Sequence, residues 1–245
     1  MDSGYYAAMA GLVARTDALD AAAANLANAQ TTGYRAEHPY FRAVLLGSDS
    51  GASQLGRAVN DFGVVGGTSL SQLQGELQTT GNPLDLAIEG QGFFAVQTAN
   101  GVRYTRDGSF HRETDGRLVT REGEQVLSPA GQPVAIPPGE VTIGSDGAIS
   151  VAGGVAGSVG LFQFPAGTAL TAEGANRYVP PAGVKASPAA NAQVAQGALE
   201  AANEDVIRGS LDLVVMQRQA EMMQKALTVF HTEMNKFAAE DLGKV

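Results

Sequence analysis

"NLANAQTTGYR", Asn25–Arg35, closes an alanine-rich stretch in which Ala21 to Ala24 stand in a row. Upstream of it, Tyr5, Met9, Leu12, Thr16, Leu19, Ala23 and Leu26 follow one another in alternating steps of four and three. That spacing is a heptad seam, the stripe by which one helix packs along another. It predicts a helix over roughly Ser3 to Asn28, about 40 Å long at 1.5 Å per residue. Small residues on the row Met9, Thr16, Ala23 would let a neighbouring helix approach closely. Gly33 is placed to close the helix end in the left-handed conformation, and Thr31-Thr32-Gly33 to turn the chain away from it.

The far end of the chain repeats the device. Val206, Leu213, Met216, Ala220, Met223, Leu227, Phe230, Met234 and Phe237 keep the same spacing, with Gly209 at the weak step. Asn203 is expected to cap this second helix, with Glu204 and Asp205 in its first turn where acids suit the helix dipole. The pairs Glu204–Arg208, Glu221–Lys225 and Glu240–Lys244 stand four apart on the outer side.

Between the helices the periodicity changes. Turn dipeptides recur at Asn100-Gly101, Asp115-Gly116, Glu122-Gly123, Ala130-Gly131, Pro138-Gly139, Asp146-Gly147 and Gly153-Gly154. They separate short apolar or alternating runs such as "FFAVQT", "EVTIG" and "VGLFQF", the pattern of an all-β domain. The fold class expected is α+β, with terminal heptad helices forming a coiled-coil-like domain and an all-β domain inserted between them. The organisation is an N-terminal helix in 1–45, an extended connector 46–80, a β domain 81–165, a connector 166–197 and a C-terminal helix in 198–245. Composition marks the connectors: Gly, Ser, Thr and Gln in the first, Pro-Pro and Ala-Ser-Pro in the second.

With 245 residues and 44% hydrophobic side chains the chain can bury a sizeable core. A formal net charge of -9 argues against nucleic acid, which needs a basic surface. Cys is absent, so neither disulfides nor thiolate metal sites are expected. Ala27-Asn28-Ala29 has the small-x-small look of a signal cleavage site. However, Asp2 sits where basic residues belong, and Arg15, Asp17 and Asp20 interrupt the apolar stretch. No run of 18 apolar residues exists to span a membrane.

Chemistry-bearing motifs are scarce. "GQGFFA", Gly90–Ala95, fits a dinucleotide pattern, yet it continues as a strand where that motif needs a helix N-terminus. His38, His111 and His231 have no metal-ligand spacing and no nucleophile beside them. Asp85 with Glu89, or Asp107 with Asp115, are near in sequence but lack the aromatic platforms a sugar site would use. No catalytic residue, cofactor or metal is expected.

"LDAAAANLANAQTTGYR", Leu19–Arg35, resembles the N-terminal signature of the bacterial flagellar axial proteins, the rod and hook family. Leu19, Asp20, Asn25, Leu26, Ala27, Asn28, Thr31, Thr32, Gly33, Tyr34 and Arg35 carry the likeness. "TTGNPLDLAIEGQGFFAV" (Thr79–Val96) and "YTRDGSFHRETDGRLVTREGEQVL" (Tyr104–Leu127) resemble that family's β domain. "QGALEAANEDVIRGSLDLVVMQRQAEMMQKAL" (Gln196–Leu227) resembles its C-terminal helix. The opening "MDSGYYAAMAGL" and "FRAVL" at Phe41–Leu45 look most like the proximal-rod members. Ala21 to Ala24 depart from the bulkier aliphatics usual there.

The resemblance implies a structural rod subunit. Its partners would be other rod subunits and the flagellar type III export apparatus, without membrane insertion or a cleaved signal, and its location the periplasm-spanning basal body. Assembly residues are then expected at Leu12, Leu19, Asp20, Asn25, Leu26, Asn28, Thr31, Thr32, Gly33 and Tyr34, and at Leu213, Met216, Met223, Leu227 and Phe230. Before assembly the terminal helices are expected to be partly disordered, since a lone seam does not offset its ordering entropy. The alternatives are a distal-rod or hook protein of the same family, a periplasmic β-domain binding module with a coiled-coil oligomeriser, and a carbohydrate enzyme using Asp107 or Asp115.

Overall fold

A computed structural model describes residues 2–42 and 64–242. Two helices flank many short strands, so the chain is mixed α+β. It separates into two compact units. One holds the helix α1 up to Leu26, residues 37–42 and 64–69, and the helix α2; the other holds Ala27–Ala36 and Leu70–Asp205.

In the helical unit α1 spans Asp2–Ala27 and α2 spans Val206–Leu242. On α2 the covered face is the heptad line: Gly209, Ala220 and Leu227 are buried, and Leu213, Met216 and Met223 half-buried. On α1 the covered line is Gly11, Ala14, Ala18 and Asn25, of which Gly11, Ala18 and Asn25 stand one residue ahead of Leu12, Leu19 and Leu26 of the expected seam. Leu12, Leu19 and Leu26 flank it half-buried, while Met9 and Ala23 are exposed. Side-chain size explains the offset, because Gly and Ala permit the closest approach and therefore bury completely. Strands Glu37–Arg42 and Val64–Leu70 pair as a two-stranded sheet.

In the β unit the central strand is Phe93–Thr98. It pairs antiparallel with Gly101–Thr105 on one edge, and with Gln125–Val126 and Leu161–Gln163 on the other. Strand alternation divides its residues between two faces. Phe94 and Val96 enter a core with Leu86, Ile88, Phe110, Leu118, Val126, Ile136 and Ile149. Phe94 meets Phe110 edge-on, with ring centroids 5.1 Å apart. The opposite face is aromatic. Register sets Phe162 against Phe93, Tyr104 against Ala95, and Tyr178 against Tyr104. Phe164 closes the layer, 4.8 Å from Tyr104 and 6.0 Å from Phe93.

Short strands and buried side chains continue through the stretch 166–197 that composition marked as a connector. Thr171–Ala172, Arg177–Val179, Ser187–Pro188 and Gln193–Gln196 all pair within the β unit, and Leu170, Tyr178 and Val194 are buried. Its prolines and glycines serve tight hairpins, one of which places Ala175 and Asn176 both at positive φ. Strands also extend upstream of residue 81, at Leu77–Thr79 paired with Ala198–Glu200. Most of the connector 46–80, residues 46–63, lies outside the described residues.

Candidate functional site

The residues of "NLANAQTTGYR" divide between the two units. Asn25, buried in the helical unit, treats the backbone of Glu37 as a paired strand. Its Nδ2 donates to the Glu37 carbonyl and its Oδ1 accepts from the Glu37 N–H, both at 2.9 Å. Beyond it α1 ends in a turn, where the Thr31 N–H donates to the Asn28 carbonyl at 2.9 Å and the Thr31 hydroxyl to Asn28 Oδ1 at 3.3 Å.

Gly33 does not close the helix, which ends at Ala27. Its positive φ of 68° serves a turn pressed against main chain of the β unit. A Cβ there would stand 2.3 Å from the Asp107 nitrogen and 2.5 Å from the Arg106 carbonyl carbon. The Gly33 N–H donates to the Glu200 carbonyl at 2.7 Å. The Thr32 carbonyl accepts from Asn176 Nδ2 at 2.7 Å, and the Arg35 N–H donates to the Tyr178 hydroxyl at 3.1 Å.

Below this turn lies a buried charge cluster. Glu200 is 1% exposed, and the Arg35 and Arg106 side chains are 4% and 3% exposed. Glu200 Oε1 accepts from the Gly75 N–H at 2.9 Å and faces Arg35 Nη2 at 3.2 Å; its Oε2 accepts from Arg106 Nη1 at 2.8 Å. Arg35 also donates to the Ser71 and Leu73 carbonyls, and Arg106 to those of Ile88 and Gly90. The Arg106 guanidinium lies over the Phe93 ring, 5.5 Å from its centroid. Gly75 is required by proximity: a Cβ would fall 2.0 Å from the Ala201 carbonyl oxygen.

Burial governs the electrostatics. It pushes the Arg106 guanidinium down to about 10, against the attraction of Glu200 and with the help of nearby Arg35. Burial lowers Arg35 likewise, again opposed by Glu200. At neutral pH both stay charged, so Glu200 is their shared counter-ion.

Asn203 completes the junction. Its Oδ1 accepts from the Ala36 N–H at 2.7 Å, and its Nδ2 donates to the Leu73 carbonyl at 2.8 Å. It therefore is not the cap of α2, which begins only at Val206 with Asp205 before it. The side chain is used instead to tie two segments of the β unit together.

The structure thus gathers Asn28, Thr31, Thr32, Gly33 and Tyr34 at one place on the β unit. The Tyr34 carbonyl accepts from the Asn203 N–H at 3.3 Å. The remaining assembly candidates stay on the helices. Asp20 is exposed; Leu12, Leu19, Leu26, Leu213, Met216 and Met223 are half-buried; Leu227 is buried. Phe230 is in α2, its side chain outside the described residues. Glu200, Arg106, Asn203, Asn176 and Tyr178 were missed as site residues. Local pattern marks only Asn203, and as a helix cap; the others act on residues distant in sequence.

Asp107 and Asp115, the carboxylates of the enzyme alternative, are committed to their own turns. Asp107 Oδ1 accepts from the Ser109 N–H and hydroxyl, and Asp115 Oδ1 from the Arg117 N–H. Among the described residues no cluster of His and acidic side chains could hold a metal, and no helix is long and apolar enough to cross a membrane.

Helices from the two ends of the chain share one unit, and the strands between them make up the other. The family model described as "Flagella basal body rod protein" matches residues 6–35, and "Flagellar hook protein FlgE/F/G D1 domain" matches residues 87–151. Similarity also runs the length of the chain. Identity is 35% over 250 residues to the flagellar basal-body rod protein FlgF of Caulobacter vibrioides, covering 100% of both chains. To FlgF of Mesorhizobium japonicum it is 33%, covering 90% of each, and to the rod protein FlgG of Bacillus subtilis 28%, covering 91% of this chain and 93% of the relative. The chain belongs to the flagellar basal-body rod protein family.

Proposed function

We propose that this chain is a structural subunit of the bacterial flagellar rod, nearest to the proximal-rod members, and that it polymerises through its terminal helices. The observation that carries the mechanism is a second apolar row on α2. Ile207, Leu211, Val214, Val215, Met222 and Val229 are 47–75% exposed, away from the covered heptad face. A helix apolar on two sides has one face for its own unit and one for another molecule. Half-buried Leu12, Leu19 and Leu26 offer α1 a comparable edge. Heterologous contacts of this kind, which do not close into a ring, build an open helical array.

Other rod subunits are the partners in this reading, and the type III export apparatus delivers the chain without a cleaved signal. No catalysis is assigned. The β unit is the stable body of the subunit, and the helices gain much of their order on assembly.

The test is isolation of basal bodies from cells carrying a tagged chain, with the tag located along the rod by gold labelling. Label in the proximal rod is expected. Label in the distal rod or hook would reassign the subunit within the family, and absence from basal bodies would refute the reading. Leu19→Asp, which sets a charge at the half-buried seam, is expected to abolish motility while the β unit stays folded. Normal motility in that strain would remove α1 from the mechanism.

A further inference from the structure

A cavity of about 150 Å³ opens on the aromatic side of the β unit, lined by Arg35 and Arg106 together with Gln72, Gln91, Gln163 and Thr168. No carboxylate lines it, in a chain whose acids outnumber its bases by 25 to 16. The two arginines carry two positive charges and Glu200 supplies one negative charge, leaving one buried positive charge in excess. Their hydrogen bonding is also incomplete. A guanidinium has five N–H groups. On Arg35, Nη1 serves Ser71 and Leu73 and Nη2 serves Glu200. On Arg106, Nη1 serves Ile88 and Glu200 and Nη2 serves Gly90. The Nε of each is buried without a partner and sealed from a water-sized probe, so it takes no part in the site; the N–H groups left over are the second ones on each Nη2.

We propose that this cavity is a binding site for a single carboxylate group. One negative charge balances the cluster, which favours a carboxylate over a dianion such as sulfate. Planar two-oxygen acceptors also match guanidinium donors. The volume takes a small group and a few waters, at about 30 Å³ of liquid volume per water. Desolvated walls with net positive charge focus attraction on that point. The glutamines at the rim supply further donors. The carboxylate can come from a small free acid or from an Asp or Glu of a second copy of the chain.

The test uses the full-length chain in dilute solution, unfolded with urea in sodium acetate or in sodium chloride at equal ionic strength. Acetate is expected to raise the unfolding midpoint in a saturable way, and chloride is not. Gln163→Glu, which tethers a carboxylate at the rim, is expected to raise the midpoint without acetate and to abolish the acetate response. Gln91→Glu is the second tether, and circular dichroism verifies that each variant is folded. Equal midpoints in acetate and chloride for the native chain would overturn the proposal, as would an undiminished acetate response in both folded tethered variants. The source is read by carbodiimide coupling of Gln163→Lys in isolated basal bodies. A crosslink to a second copy assigns a neighbour's side chain, and an acetate response without a crosslink assigns a free acid.

Discussion

Glu200→Gln removes the one negative charge that the cluster's own side chains supply. The carboxylate is 1% exposed and faces two guanidinium groups at 3.2 and 2.8 Å. Glutamine keeps the shape and one acceptor, so the Gly75 N–H need not be orphaned. Its amide nitrogen, however, aims a donor at an arginine, and both arginines lose their counter-ion. Removing one partner of a buried pair costs about 3–5 kcal/mol, because the remaining charge stays desolvated. With a urea dependence of about 2 kcal/mol per molar, the unfolding midpoint should fall by roughly 1.5–2.5 M. The chain has no Trp, so near-ultraviolet circular dichroism of the tyrosines is the probe, and buried Tyr178 reports on the junction directly. Glu173→Gln is the control: its ion pair with Arg103 lies at the surface, and its loss should leave the midpoint unchanged. If Glu200→Gln costs less than about 1 kcal/mol, the value of a surface pair, the cluster does not hold the junction.

Two further perturbations test the same segment. Gly33→Ala forces a side chain into left-handed backbone at a cost of about 1–2 kcal/mol and drives its Cβ into the Asp107 main chain; total destabilisation above about 2 kcal/mol is expected, with faster hydrogen exchange at the Gly33 position and at Arg35. Asn25→Asp keeps an acceptor for the Glu37 N–H but loses the donor to the Glu37 carbonyl; a loss of about 1–3 kcal/mol is expected in the helical unit, read as faster exchange of the Glu37 amide with the β unit unaffected.

The mixed α+β class was legible because the hydrophobic period changes twice along the chain. On α2, Gly209, Ala220 and Leu227 of the expected heptad line are buried. On α1 the Leu row and the Gly/Ala row are adjacent, and periodicity ranks the larger residue first although the smaller one packs closer. The stretch 166–197 misled because hairpins this short use the residues of a linker. Asn203 had the right chemistry for a cap and was used by Ala36 and Leu73 instead. The cluster of Arg35, Arg106 and Glu200 could not be foreseen. Its members come from three distant segments, and a buried charge has no sequence signature until its partner is known.

Where Gly33 meets Asp107 and Gly75 meets Ala201, main chain rests on main chain with no room for a side chain between them. The close approach itself is made by main chain and not by side chains. At these two positions the smallest addition displaces a backbone. Saturation mutagenesis scored by motility would therefore find Gly33 and Gly75 nearly immutable. At these two contacts within the β unit the fit is stored in the path of the chain.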